Sequence, residues 1–381
     1  MLRFLDAGET HGQCLTAILE GLPSGLPVDV EAINQMLALR QGGYGRGGRM
    51  KIEADRVQIL SGVRAGHTLG SPVALMIENK DYDNWREIMG PDSTSMDRAV
   101  YVPRPGHADL TGALKYDHTD MRNVLERASA RETAIRTAVG ALCKQLLQQL
   151  DIELYSRVVS IGPVQDCTSI CWPDAAARIA ASDMRMYDAK AEQQAISHIE
   201  GAKESGESVG GVVEVVALNV PAGLGSYVQY DRKLDGRLGG ALLSVQAIKG
   251  VEFGMGFACA AHPGSEVHDP IAYHNGFVRL SNHAGGIEGG MSNGQPIVVR
   301  AAMKPIPTLY QPLGSIDIRD KKSVPASVER SDICAVPACS IVCEAVVAFE
   351  LAACIIEKFS ADSIGDLQAS LRLYLDKVKQ R

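Results

Sequence analysis

Ile333-Cys-Ala-Val-Pro-Ala-Cys-Ser-Ile-Val-Cys-Glu344-Ala-Val-Val-Ala-Phe-Glu350-Leu-Ala-Ala-Cys-Ile-Ile356 is the most apolar stretch of the 381-residue chain. A bilayer span needs about 20 predominantly apolar residues, so by length this segment qualifies. Glu344 and Glu350 interrupt it, however. It therefore reads as a buried helix, around Ala335 to Lys358, and not as a membrane span. With that reading the chain is a globular protein, and its other elements can be laid out around this helix.

Toward the N-terminus, Leu234 to Ala247 reads as a further helix. A longer one follows Ser129, where Ser129 and Glu132 spell an S-x-x-E capping box. Ile135, Ala138, Val139, Leu142, Leu146 and Leu150 then recur at three- and four-residue steps. Val28 to Leu39 carries Ile33, Met36, Leu37 and Leu39 at helical spacing, which ends that helix near Arg40. Beyond the apolar segment, Asp362 to Arg381 is amphipathic and charged, a solvated terminal helix. Strands are expected at Lys51 to Leu60, Pro72 to Glu78, Ile152 to Val164, Gly211 to Val220 and Pro296 to Met303. They come in adjacent groups instead of alternating strictly with helices, which favours an α+β fold. No repeat or long linker divides the chain. We expect one domain over residues 1–360 and a charged helical tail over 361–381.

Hydrophobic residues make up 46% of the chain and charged residues 22%, which excludes disordered and fibrous classes. The net charge of −7 argues against a nucleic-acid or membrane partner, so any anion site must be a local concentration of Arg. Met-Leu-Arg-Phe-Leu-Asp6 and the residues after it show no basic segment leading into an apolar one, so no secretory signal is expected. The nine cysteines contain no Cys-x-x-Cys, and several sit in Ala-rich surroundings, as small core hydrophobes do. Cys334, Cys339 and Cys343 lack a His at ligand spacing, so no metal is expected. The chain reads as cytoplasmic and reduced.

Arg40 to Met50 holds five glycines, three arginines and no acid. Glycine lets backbone approach a ligand closely, and Arg offers planar bidentate donors to phosphate or carboxylate. Gly43, Gly45 and Gly48 spell G-x-G-x-x-G, but a dinucleotide fold needs a strand before and a helix after, and here the order is reversed. An RNA-binding Arg-Gly segment is a second reading. Such segments usually lie in disordered tails, whereas this one is short and sits between ordered elements of an acidic chain. A solvated loop and an anion-gripping loop remain.

A second cluster runs from Arg104-Pro-Gly-His107-Ala-Asp109 to Arg122-Asn-Val-Leu-Glu126-Arg127-Ala-Ser129-Ala-Arg131-Glu132-Thr133. A helix starting at Ser129 offers free backbone N–H groups to phosphate, and Arg127 and Arg131 flank that end. Arg is mildly disfavoured there by the helix dipole, which suggests an anion between the two; the plainer alternative is a surface helix paired with Glu126 and Glu132. His11 and His107 stand in tight polar-glycine contexts and could give a proton beside a phosphate site. Gly285 to Gly294 is turn-rich, Lys304-Pro-Ile-Pro-Thr308 is a rigid edge, and Arg330-Ser-Asp332 precedes the apolar helix. No Gly-x-Ser-x-Gly, Walker A or His-Glu-x-x-His motif is present, so hydrolase, NTPase and zinc-protease readings lack support.

The ordered set Gly8-Glu-Thr-His-Gly12, Tyr44-Gly-Arg-Gly-Gly-Arg-Met50, Arg104-Pro-Gly-His-Ala-Asp109, Arg127-Ala-Ser-Ala-Arg-Glu-Thr133, Gly285-Gly-Ile-Glu-Gly-Gly-Met291, Lys304-Pro-Ile-Pro-Thr308 and Arg330-Ser-Asp332 closely resembles the chorismate synthases. The resemblance implies antiparallel sheets packed around a helical core, and a homotetramer. It implies a 1,4-anti elimination of phosphate from 5-enolpyruvylshikimate 3-phosphate, with no net redox change, that requires reduced FMN; NADPH is a possible reductant. By the same resemblance His11 gives a proton to the departing phosphate, His107 serves the N1 side of the reduced flavin, and Asp332 handles a second proton step near N5. Arg40, Arg46, Arg49, Arg104 and Arg131 would hold substrate anions, and Arg40 and Arg46 could touch NADP. FMN contacts would come from Arg127, Ala128, Ser129, Gln246, Ala247, Gly290, Lys304, Pro305, Ile306, Pro307, Thr308 and Arg330. Two positions depart from the family pattern: Gln246 stands where Asn is usual, and His283 where Arg often stands. The rival from another class is a non-catalytic RNA- or nucleotide-binding module built on the Arg-Gly loop, against which the acidic charge argues.

Overall fold

Two antiparallel sheets frame the protein in a computed structural model that describes residues 1–47, 54–274, 276–329 and 331–381. The first sheet contains β1 (Arg3–Ala7), β2 (Cys14–Glu20), β3 (Val57–Ser61) and β4 (Val73–Glu78), in the order β1-β2-β4-β3. Leu15, Ala17 and Leu19 on β2, and Val73, Leu75 and Ile77 on β4, are buried at every second position, as a half-covered strand requires. The register pairs Leu15 with Ile77, Ala17 with Leu75 and Leu19 with Val73, which stacks these side chains on one face. The strand expected from Lys51 is observed from Val57; residues 51–53 lie outside the described set.

The second sheet contains β5 (Glu153–Ile161), β6 (Val164–Gln165), β7 (Gly211–Leu218), β8 (Ile248–Phe253) and β9 (Ile297–Met303), in the order β8-β9-β7-β5-β6. The helices that matter here are α1 (Val30–Gln41), α2 (Asp109–Tyr116), α3 (Arg122–Ala128), α4 (Thr133–Gln148), α5 (Leu234–Leu243), α6 (Val336–Phe359) and α7 (Ile364–Lys379). The side chain of Asp29 caps α1 by accepting from Glu31 N–H at 2.9 Å and Ala32 N–H at 3.1 Å. Helices α4 and α6 pack on each other; α4 also covers β2 and β4, while α6 covers β5 and β7. The result is sheet, helices, sheet: an α+β sandwich with a helical core, as expected.

That position explains the composition of α6. It is covered on both sides, and 89% of its apolar window is buried inside the protein, so it is a core helix. Its two acids are paired. Glu344 accepts from Lys144 Nζ and from Ser156 Oγ, and Glu350 pairs with Arg237. Cys143, Cys334, Cys339, Cys343 and Cys354 are buried and unbridged, filling core space as small hydrophobes.

The terminal helix α7 is less solvated than expected. Leu367 and Leu371 join the main core, and the Tyr374 hydroxyl donates to the Ala222 carbonyl at 2.9 Å. The capping box is also only half made. Ser129 Oγ accepts from Arg131 N–H at 3.3 Å, but Glu132 turns away to accept from Gln246 at 2.9 Å. One 3₁₀ turn, Ala130–Glu132, therefore precedes α4.

Helices α4 and α6 pack tightly at Gly140, where an added Cβ would lie 2.3 Å from the Ala345 carbonyl oxygen and 2.5 Å from its Cα. Those atoms are backbone, so the two helices would have to separate. Gly140→Val should destabilise the protein by about 3 kcal/mol, the upper part of the overpacking range. An unchanged midpoint of urea unfolding would show that the helix pair can open without loss.

Candidate active site

A cavity of about 1010 Å³ opens between the start of α4, the Arg-Gly loop after α1, the 304–308 edge after β9 and the first turns of α6. That is the upper end of the ~300–1,000 Å³ range of small-molecule sites. Arg40, Arg46, Arg98, Arg104, Arg131, Lys249 and Lys304 face it, against Asp81, Glu329 and Asp332, so among the described residues seven cations meet three acids. This local excess of positive charge lies in a chain of net charge −7. The cavity is built for an anionic ligand.

Each of the two histidines is held by a buried carboxylate. His11 Nδ1 lies 2.8 Å from Glu126 Oε1, and its backbone N–H donates to Glu126 Oε2 at 2.8 Å. The His11 ring stacks on Trp85, with centroids 3.8 Å apart and planes 18° from parallel. The Arg98 guanidinium lies over the Trp85 ring, 4.1 Å from its centre. His107 Nδ1 lies 2.6 Å from Asp109 Oδ1. Arg104 grips the same carboxylate through Nε at 2.9 Å and Nη2 at 3.1 Å, and donates from Nη1 to Thr308 Oγ1 at 3.2 Å. Burial works against the ionised form of Asp109, yet the hydrogen bonds from His107 and Arg104 hold its carboxyl well below the usual range. Since a carboxylate only accepts, Nδ1 of each ring carries a proton, and the proton that a ring could give is the one Nε2 holds when the imidazole is cationic.

The arginines are organised by an acid that pattern reading did not single out. Asp55 is fully buried and accepts from Arg131 Nη1 at 2.6 and 2.8 Å, with Arg40 Nη1 at 3.5 Å. Arg40 also donates to Thr133 Oγ1 at 3.0 Å and to the Ala130 carbonyl at 2.9 Å. Burial lowers the Arg40 pKa to about 9; Asp55 opposes this, and the neighbouring Arg131 and Arg46 add to it. Arg131 Nε donates to Asn79 Oδ1 at 2.9 Å, and Asn79 Nδ2 donates to the carbonyls of Glu9 and Gly12 at 3.0 and 2.7 Å. The turn that carries His11 is thus tied to the arginine pair.

The described part of the Arg-Gly loop is clasped, which removes the solvated-loop reading for residues 42–47. Gly45 adopts φ +87, and a Cβ there would meet Cys334 Cβ at 2.9 Å, so a side chain is excluded on both counts. Its carbonyl accepts from the Ile333 and Cys334 amides. Arg46 Nη1 pairs with Asp332 Oδ2 at 2.9 Å, and the Gly47 amide donates to Asp332 Oδ1 at 2.6 Å.

His11, His107, Asp332, Arg40, Arg46, Arg104 and Arg131 therefore converge on one cavity. Ala128, Ser129, Gln246, Ala247, Lys304, Ile306, Pro307 and Thr308 line the same space. Arg127 does not: its guanidinium bonds Asp6 and the Gly8 carbonyl. Gly290 sits in the turn between Ile287–Glu288 and Met291–Ser292, against Lys233, and Pro305 is outside the cavity wall. Arg49 and Arg330 lie outside the described residues. His283 is away from the cavity too, 3.9 Å from Asp269. Sequence reading missed Trp85, Asn79, Asp55, Arg98 and Lys249, and took Glu126 only as an ion-pair partner of a surface helix. The one available signal for Glu126 was its place one helical turn after Arg122.

The donor set fits a flavin phosphate and ring. Gln246 Oε1 is a buried acceptor with no partner among the described residues. Burial lowers the Lys304 pKa, and the nearby ammonium of Lys249 lowers it further, so an anion between the two would be favoured. Ala335, Ala338 and Val342 give an apolar wall. Ala247 is held at φ +69, a strained conformation for a residue with a Cβ, at the same edge.

A family model described as chorismate synthase matches residues 2–356. The chain belongs to the chorismate synthase family. It is 58% identical to the chorismate synthase of Desulforamulus reducens over the whole of both chains. It is 55% identical to that of Geobacter sulfurreducens, again over both full lengths, and 54% identical to that of Staphylococcus aureus over 97% of each. A chorismate synthase crystal structure superposes with a TM-score of 0.82 at 43% identity, covering 100% of this chain and 99% of that one. Chorismate synthase is a phosphate-lyase of the shikimate pathway to aromatic amino acids, acts on 5-enolpyruvylshikimate 3-phosphate and uses reduced FMN. A substrate with two carboxylates and one phosphate accounts for the cationic cavity.

Proposed function

We propose that this cavity is where the chain carries out the chorismate synthase elimination, with His11, His107 and Asp332 handling protons and Arg40, Arg46, Arg104 and Arg131 holding the substrate anions. The observation that carries the proposal is the meeting of two carboxylate-held histidines with these arginines in one cavity. His11 Nε2 gives its proton to the departing phosphate, so the leaving group departs as a weaker base. Arg131 and Arg40 face that charge from a pre-organised mount on Asp55, and little reorganisation accompanies the reaction.

His107 keeps a proton at Nε2 for the N1 side of the flavin, with Asp109 and Arg104 fixing the ring. Asp332, clasped by Arg46 and the Gly47 amide, is the acid assigned to the second proton step. Ala128, Ser129, Gln246, Ala247, Lys304, Ile306, Pro307 and Thr308 would hold the cofactor, Lys304 and Lys249 its phosphate and Gln246 a ring donor. Reduced FMN, when bound, supplies the transient electron density for C–O cleavage. Contact of Arg40 and Arg46 with NADPH, as an external reductant, belongs to the same proposal, as does a homotetramer.

The test is anaerobic. The protein is mixed with chemically reduced FMN and 5-enolpyruvylshikimate 3-phosphate, and chorismate and phosphate are assayed together. Equal release of both, absent without reduced flavin, is expected. Folded, FMN-binding protein that forms neither product would sink the proposal.

A further inference from the structure

Glu126 belongs to no motif that reads as chemistry, yet it is almost fully buried on α3, its side chain 1% exposed. It spends both its side chain and its backbone on the two residues that present the proton donor. Oε2 accepts the His11 backbone N–H at 2.8 Å, and Oε1 faces His11 Nδ1 at 2.8 Å. Its carbonyl accepts the Thr10 N–H and the Thr10 hydroxyl, each at 2.9 Å. Arg122, one turn earlier on α3, brings Nη1 to 3.5 Å from Oε1 and balances the buried charge, while its Nη2 reaches Glu329. Trp85 closes the ring face. The ring's Nδ1, one of its faces and its backbone N–H are thereby held, and Nε2 is the nitrogen left for proton transfer.

We propose that Glu126 is the positioning residue for His11. It fixes the ring orientation and keeps Nδ1 protonated, so that the transferable proton sits on Nε2. In the proton transfer the cationic ring loses H–Nε2 to a phosphate oxygen and remains as the neutral Nδ1–H tautomer, already bonded to Glu126; no electron changes hands. The same carboxylate–imidazole logic orders hydrolytic and metal-bound histidines. This inference rests on His11 being the phosphate's proton donor, and the test separates the two.

A double-mutant cycle on Glu126→Gln and His11→Ala is the test, with anaerobic turnover, substrate KM and FMN affinity measured for each protein. Glu126→Gln should lower kcat by about 10–100-fold, the usual cost of losing an orienting partner, with KM and FMN affinity within about two-fold of the starting protein. On the His11→Ala background the same change should cost less than about two-fold. An equal loss on both backgrounds would overturn the positioning role and leave the proton-donor role standing. Normal turnover of His11→Ala would instead remove the proton-donor role, and the inference with it.

A second readout avoids activity. Ring ¹⁵N shifts of His11 in flavin-free protein, read with the ring in its neutral form, should report the Nδ1–H tautomer that proton transfer leaves behind, replaced by a tautomer mixture in Glu126→Gln. Glu126→Asp keeps the charge beside Arg122 but is one methylene short of spanning both His11 donors; it should give an intermediate kcat and the same mixed tautomers. If Glu126→Gln fails to fold, this variant decides: an unmoved tautomer and full kcat in Glu126→Asp would overturn the proposal.

Discussion

His11→Ala lowers turnover by about 10²–10⁴-fold, the range for losing a general acid, while FMN affinity stays close to that of the unaltered protein. The expectation is this specific because of where the ring sits. One nitrogen is committed to Glu126 and one face to Trp85, which leaves Nε2 as the ring nitrogen not engaged by Glu126. Most of the flavin-facing residues proposed above, Gln246, Ala247, Lys304, Ile306, Pro307 and Thr308, come from a different part of the chain, and the His11 ring is held by Glu126 and Trp85. Loss of the imidazole should therefore appear as about 3–5 kcal/mol of barrier at roughly 1.4 kcal/mol per tenfold. Single-turnover phosphate release, followed anaerobically with reduced FMN and saturating substrate, measures it. Flavin titration of the same protein measures the other half. Near-normal phosphate release would leave the departing group to some other acid. A parallel collapse of flavin affinity would make His11 a structural residue.

What could be seen of this site in the amino-acid sequence depended on how local the signal was. The 3.6-residue period of Ile135 to Leu150 and the alternation in Val73 to Ile77 are properties of neighbouring residues, and both elements formed where they were expected. The two acids inside the apolar segment were informative for the same reason: a charge in a long apolar helix needs a partner, and Lys144 and Arg237 supply one each. The Arg-Gly loop and the 304–308 edge showed their chemistry through composition alone.

Residues whose role comes from a distant partner were opaque. Glu126 lies 115 positions from His11, and Asp55 lies 76 from Arg131. Glu132 looked like a capping residue because the local pattern S-x-x-E favours that reading, but Gln246, more than a hundred residues later, outbids the backbone for its carboxylate. The terminal helix looked solvated because five charged residues are spread along its sixteen; its two core leucines are too few to dominate the pattern. Trp85 carries no motif, and only the fold shows that its ring lies against an imidazole.

Asp55→Asn should be the most damaging single change to the architecture of the cavity, at about 3–5 kcal/mol of folding stability, the cost of removing one partner from a buried ion pair. Its carboxylate is inaccessible to solvent and is the shared counter-charge of two guanidiniums that are themselves buried. Asparagine keeps the size but turns an acceptor into a donor, so an N–H is set against the Arg131 and Arg40 donors. Two buried cations then lose their shared counter-charge, and burial already works against the Arg40 charge. Urea unfolding at neutral pH measures the loss; a change of less than about 1 kcal/mol would mean that the arginines do not depend on Asp55. A second consequence separates this account from ordinary loss of packing. Any anion that enters the cavity replaces the missing counter-charge, so inorganic phosphate should raise the unfolding midpoint of Asp55→Asn more than that of the unaltered protein, through its preferential binding to the folded state. Equal shifts in the two proteins would show that phosphate does not meet this arginine pair, and the anion-holding role proposed for Arg40 and Arg131 would fall with it.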